Sequence, residues 1–399
     1  MKAFRKITAF CATIFISVFA SAEIVTSDIF GYSLDVPEGF EILDMTENQD
    51  SVQFQQKYFP ATIILCVYKS SEQKDAQTAL SFALSRLGAK EKTSSLTWHR
   101  LPCAVSEFVI ENQTEAFGNE KQRGYAASIP LPAKESILVA LSFLPESVWS
   151  EGDCVPFSAI DSIVVDAGSS RECGILTSFF FPQKKKMPLN LEIAGEKIQT
   201  ELFEEDSKAN QAVIDREFKL FLIYAQNALP EAIASWQRFY RMIMRDSLGR
   251  TKRVAFDIVA SLQSKTLEMD EKNPHAALAA LILEWTQNLK YARNLEAADK
   301  ADFSNIVCVL TDNGSDCDSR SLLAAVLLKH SGIQSCFFVS VAYSHAILGV
   351  SLDGKMGQAF DVDGVTYLVG DTTAKGTTLG MIARDQADKS RWIPVEFPF

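Results

Sequence analysis

Three residue types in the last third of the chain suit acyl-transfer chemistry. Cys317 follows the glycine-containing turn Asn313-Gly314-Ser315-Asp316 and opens a run to Leu328 that is nearly all apolar beyond its first turn. That pattern predicts a core helix ending near His330, with Gly332 at the left-handed cap position. A cysteine at a helix start meets free N–H groups and the positive end of the helix dipole. Both favour the thiolate, the form that attacks a carbonyl carbon. His345 opens a predicted strand that runs to Leu352, and Asp371 closes a later one. Each alone means little: a buried cysteine is a common core residue, a lone histidine in an apolar strand usually just packs, and an aspartate at a strand end is usually a cap. Together, and in that order, they supply a nucleophile, a general base and a carboxylate that orients the imidazole.

The elements around them must bring the three together. Asn273-Pro274 is a helix start with a capping side chain and proline in the first turn, and the helix should run to about Tyr291. Leu278, Leu281, Ile282, Trp285 and Leu289 form one stripe, with Ala276, Ala280, Leu283 and Gln287 opposite. Both sides are apolar or small, so the helix should be buried, and Gln287 then needs a hydrogen-bond partner. Cys336–Tyr343 reads as an apolar strand. Phe360–Val362 and Val365–Leu368 form a hairpin about Asp363-Gly364.

Four stretches in sequence order resemble the transglutaminase-like superfamily, in particular its bacterial and archaeal members related to cysteine proteases: Trp285–Tyr291, Gly314–Leu323, Ser344–Val350 and Tyr367–Thr373. The resemblance implies a papain-like α+β domain over residues 273–399, with Cys317 as nucleophile, His345 as base and Asp371 as orienting carboxylate. Gln287 is carried over as an oxyanion or thiolate partner. The match departs from the eukaryotic crosslinking enzymes, because no aromatic residue follows His345 and their flanking domains have no counterpart. The expected activity is therefore a cysteine hydrolase or acyltransferase acting on peptide or isopeptide amides. The alternative is a catalytically silent relative that serves as an envelope binding or scaffolding module.

The rest of the chain carries less chemistry. Residues 23–166 alternate short strands with two helices, an α+β sandwich. Strands are expected at Tyr32–Val36, Thr62–Tyr68, Cys103–Ile110, Gly124–Ile129 and Ile137–Leu144, with helices at Ala79–Leu87 and Phe157–Val164. The opening Tyr32–Phe40 segment, the late Ile-Leu-Val-Ala-Leu-Ser strand and the closing helix resemble the Mog1/PsbP-like fold, which implies a docking module that contacts an envelope protein. Residues 167–272 read as linker and helical packing: a hairpin about Ala194-Gly195, then helices from Ser207 to Gln226 and from Glu231 to Arg245.

Residues 1–22 have a basic start (Lys2, Arg5, Lys6), an uncharged apolar stretch and the small-x-small site Ala20-Ser21-Ala22, the marks of a secretory leader. The expected location is periplasmic or secreted. The chain has 39 Lys+Arg against 50 Asp+Glu; losing the three leader cations leaves 36 against 50. That acidity argues against nucleic-acid binding, which needs surplus cations. No later run is long and apolar enough to span a bilayer. Seven cysteines follow the leader, an odd number, with no CxxC. Histidine is scarce, and Asp312, Asp316 and Asp318 do not fit a calcium loop. Neither metal nor cofactor is therefore expected, and His99, His275 and His330 read as structural or exposed.

Overall fold

The computed structural model describes residues 24–111, 120–293, 300–354 and 356–397. The leader expected over residues 1–22 lies outside the described residues. Strands β1 (Ile24–Ser27) and β2 (Tyr32–Asp35) pair antiparallel. Then come β3 (Phe40–Met45), β4 (Ser51–Gln56), β5 (Thr62–Lys69), helix α1 (Ala76–Arg86), β6 (Ala89–Trp98), β7 (Leu101–Ile110), β8 (Gln122–Leu131) and β9 (Ser136–Pro145). These strands form one antiparallel sheet in the order β3-β4-β5-β9-β8-β7-β6. Central β9 is buried along nearly its whole length because both faces are covered. Leu80 and Leu84 of α1 pack on one side, with Phe108 and Phe143. Val155 and Ile160 of α3 (Cys154–Asp161), reached through the short α2 (Trp149–Gly152), pack on the other.

The helix expected over 157–164 is shifted. Helix α3 starts earlier and stops at Asp161, and Ile163–Val164 forms β10, which pairs with β2. β-branched side chains crowd a helix and suit extended backbone.

A short α4 (Ile175–Phe180) leads to the hairpin of β11 (Lys186–Ile193) and β12 (Glu196–Phe203), which turns through Ala194 and Gly195 at φ 54° and 83°. Helix α5 (Glu205–Gln226) follows. Helix α6 (Ala232–Met269) does not end at Arg245 as expected but continues for 38 residues in all. Four buried arginines line its first half. Arg238 gives Nε and Nη2 to the Asp35 carbonyl and Nη1 to Glu217 and Ser158. Arg241 grips the Asp35 carboxylate with two bonds of 2.8 and 2.9 Å. Arg245 donates to the carbonyls of Asp161 and Ile163. Arg250 pairs with Asp246 and Asp206. These charged side chains are buried and paired, and Arg238, Arg241 and Arg245 clamp α6 to the N-terminal region. Gly249 permits this, since a Cβ there would lie 2.5 Å from the Cys173 nitrogen.

The remaining elements are α7 (Pro274–Asn288), α8 (Ile306–Leu310), α9 (Cys317–His330), β13 (Ser335–Ser340), β14 (His345–Val350), β15 (Ala359–Val362), β16 (Val365–Gly370) and β17 (Ile393–Val395). The last five form an antiparallel sheet ordered β15-β16-β14-β13-β17. Helix α9 is apolar all round because α6, α7, β13 and β14 surround it. One core runs from Leu189 through α6, α7 and α9 to Val395. The architecture is α+β.

Candidate active site

Asp316 caps α9. Its carboxylate accepts the Ser319 N–H at 2.9 Å, and the Ser319 hydroxyl oxygen accepts the Asp316 N–H at 3.0 Å, a reciprocal capping box. Cys317 is therefore the first helical residue. Among the described residues its backbone N–H has no acceptor, as first-turn donors usually lack one.

His345 opens β14 directly after Ser344, a non-glycine residue in the left-handed region at φ 47°. Its Nε2 lies 3.1 Å from Oδ2 of Asp371. The other carboxylate oxygen, Oδ1, accepts from Thr373 N–H (2.8 Å), Thr373 Oγ1 (2.7 Å) and Ala374 N–H (3.2 Å). Burial would raise the Asp371 carboxyl, but the His345 bond and the Thr373 donors outweigh it and hold the group below its usual range. The indole of Trp392 meets the imidazole edge to face at 6.2 Å. Among the described residues Nδ1 makes no hydrogen bond.

The Asp371 loop is tied to two helices. Gln287 donates from Nε2 to the Asp371 carbonyl and the Thr377 carbonyl, both at 3.0 Å, and accepts the Gly376 N–H through Oε1. The partner that its burial demanded is thus this loop. Its amide hydrogens go to that loop, and among the described residues none goes to Sγ. Arg320 and Ser321 of α9 do similar work. Arg320 is buried and donates to Ser315 Oγ and to the carbonyls of Leu289 and Thr372. The Ser321 hydroxyl meets Thr372 Oγ1 at 3.0 Å and the Ala346 carbonyl at 3.4 Å. Sequence reasoning missed both roles, although a buried arginine one turn after a candidate nucleophile was the available signal.

Cys317 hydrogen-bonds to a neighbouring carboxylate. Its Sγ donates to Asp318 Oδ1 at 3.1 Å, and among the described residues no direct hydrogen bond joins it to His345. Burial pushes the thiol up, and the charges of Asp318 and Asp316 add to the push; the Ala346 N–H opposes it. Burial and the Asp318 charge in turn drive Asp316 up to about 7. Asp318 also rises on burial, while the hydroxyl of Tyr240 and the charge of His345 hold it down.

The minor expectations resolve structurally. His99 sits between Asp166 (3.0 Å) and Glu172 (3.4 Å). His330 meets the Leu248 carbonyl at 3.1 Å, and burial lowers it to about 4. All seven described cysteines are free thiols. Among the described residues no cluster of three or more His, Cys, Asp or Glu is arranged to hold a metal, and no helix is long and apolar enough to cross a membrane.

No family model and no curated protein matches this chain. Solved structures similar to parts of it include cyanobacterial PsbP from Synechocystis sp. PCC 6803, at 10% identity and TM-score 0.29, covering 40% of this chain and 98% of that one. The Ran-binding protein Mog1p of Saccharomyces cerevisiae is similar at 12% identity and TM-score 0.27, over 36% of this chain and 95% of that one. A Bacteroides thetaiotaomicron VPI-5482 structure is similar at 10% identity and TM-score 0.26, over 61% of this chain and 79% of that one.

Proposed function

We propose that the chain is an exported, transglutaminase-like cysteine hydrolase or acyltransferase acting on peptide or isopeptide amides. The observation that carries the reading is the His345–Asp371 pair at 3.1 Å beside a helix whose first residue is Cys317, with the Ala346 N–H reaching its sulfur. Asp371 holds Nε2, which leaves Nδ1 to accept the thiol proton. Sγ then attacks the amide carbonyl and forms a C–S bond. The Cys317 N–H donates to the oxyanion. The imidazolium returns its proton to the departing amine as the C–N bond breaks, leaving a thioester. Water or a second amine attacks it and restores the thiol. The N-terminal sheet serves as the contact surface for an envelope partner.

A second reading, a silent relative used as a binding module, is favoured by one observation: the thiol donates to Asp318 and its burial opposes ionisation. Alkylation by iodoacetamide at neutral pH separates the two. The enzyme reading expects Cys317→Ala to remove the labelled site and His345→Ala to slow labelling strongly. Equal labelling of wild type and His345→Ala defeats it.

A further inference from the structure

The thiol that the proposed reaction needs is not idle in this structure. Sγ of Cys317 donates to one oxygen of Asp318, and the hydroxyl of Tyr240, from the third turn of α6, donates to the other. Tyr240 is 2% exposed and is wedged edge-on against Phe337 at 4.8 Å, so its hydroxyl has little freedom to swing away. We propose that Asp318, fixed by Tyr240, is a positioning residue that takes the Cys317 thiol hydrogen bond in the resting protein and keeps the sulfur a neutral thiol. This deepens the nucleophile reading and rests on it. Attack requires the S–H to leave Asp318 and turn to His345 Nδ1, so an amide that enters between the two carboxylates and the imidazole selects the reactive rotamer. The arrangement gives a thiol that resists casual oxidation and alkylation and is released by substrate.

The groups around the sulfur and its two acidic neighbours come from several elements. Asp316 caps α9, Asp318 and Arg320 lie on it, Tyr240 is on α6, and Tyr291 and Arg293 follow α7; His345 on β14 and Asp302 before α8 act on the acidic neighbours. Of these, Arg293 is paired with Asp302, and Arg320 is committed to backbone carbonyls. The acidic neighbours therefore outnumber the uncommitted cations, and removing one acidic charge next to Sγ should ease its ionisation.

The test is the pH profile of Cys317 alkylation by iodoacetamide in the full chain, followed by mass spectrometry of the Cys317 peptide. Asp318→Asn should lower the apparent midpoint by about one unit and speed labelling at neutral pH roughly tenfold. An unchanged or raised midpoint overturns the proposal. His345→Ala run alongside keeps the two ideas apart. If His345→Ala leaves labelling unchanged while Asp318→Asn still shifts the midpoint, the triad reading falls and the Asp318 role stands. The reverse pattern removes the Asp318 role alone. If Asp318→Asn does not fold, the infrared difference spectrum of wild type minus Cys317→Ala decides. A strongly red-shifted S–H stretch, as expected for donation to a carboxylate, supports the proposal, and a free-thiol band overturns it.

Discussion

The arginine face of α6 and the first turn of α9 both bury charge, and they treat it in opposite ways. On α6, every buried guanidinium meets carboxylates or carbonyls: Arg238 with Glu217 and Asp35, Arg241 with Asp35, Arg245 with Asp161 and Ile163, Arg250 with Asp246 and Asp206. At the start of α9, Asp316, Cys317 and Asp318 are consecutive, and their neighbours are hydroxyls, backbone N–H groups and one imidazole. Opposite charges in contact fix protons where they are. Burial together with a neighbouring like charge raises a carboxyl, as Asp316 at about 7 illustrates. The first arrangement holds two parts of the molecule together, and the second suits proton movement. Tyr240 and Arg241 are adjacent on α6, so one helix turn serves both.

This contrast sets the expected effects. His345→Ala should cut turnover of a peptide substrate by about 10²–10⁴-fold, the usual worth of a general acid–base, while changing the urea midpoint little. A large midpoint change would place His345 with the structural groups instead. Arg238→Ala should do the reverse. It leaves Glu217 Oε2 and the Asp35 carbonyl buried without the guanidinium, while Arg216 still holds Glu217 Oε1, at a cost of about 3 kcal/mol in urea unfolding, and the paired change Arg238→Met with Glu217→Met should recover part of it.

Glu38 tests the boundary between the two regions. It is 2% exposed and neither carboxylate oxygen has a hydrogen bond among the described residues; Arg241 Nη2 stands 4.0 Å away. Burial pushes it up to about 7 from the ordinary 4.5, against the pull of Arg238 and Arg241. The folded chain therefore keeps a proton that the unfolded chain gives up between those two values. Stability should be highest below the lower value and fall as pH rises through the upper one. Glu38→Gln removes that loss, so at pH about 8 it should be more stable than wild type by about 1–3 kcal/mol and should show a flatter pH dependence between about 5 and 8. A destabilising Glu38→Gln at that pH would mean that the charged form is satisfied.

The smallest effect concerns Gln287. Gln287→Ala removes donors from the Asp371 and Thr377 carbonyls and an acceptor from Gly376, at about 1–2 kcal/mol. If it positions Asp371, it should lower kcat with little change in KM. A large KM effect with kcat intact would place it against substrate.

Regular patterning made much of the frame legible. Helix α9 was readable from its turn, its apolar run and Gly332 at φ 75°, and the β15–β16 hairpin from Asp363-Gly364. Strand β3 was missed because edge residues such as Glu41 and Asp44 are exposed and polar, and β4 because only Val52 and Phe54 are apolar in it. The end of α6 was missed because the partners of its four buried arginines come from positions as distant as residue 35, which no local pattern shows. The same distance effect hid the work of Tyr240, Asp318 and Arg320 around the sulfur. A sequence shows that Cys317 opens a helix, but whether carboxylates or cations surround it depends on packing from α6 and β14.

The most direct test is intact-mass spectrometry of the full chain after brief exposure to an activated acyl ester such as p-nitrophenyl acetate. The account predicts one acyl group, released by hydroxylamine and mapped to Cys317, absent in Cys317→Ala and formed far more slowly in His345→Ala. Acyl groups spread over other cysteines and lysines, or formed on Cys317 at the same rate without His345, would contradict it.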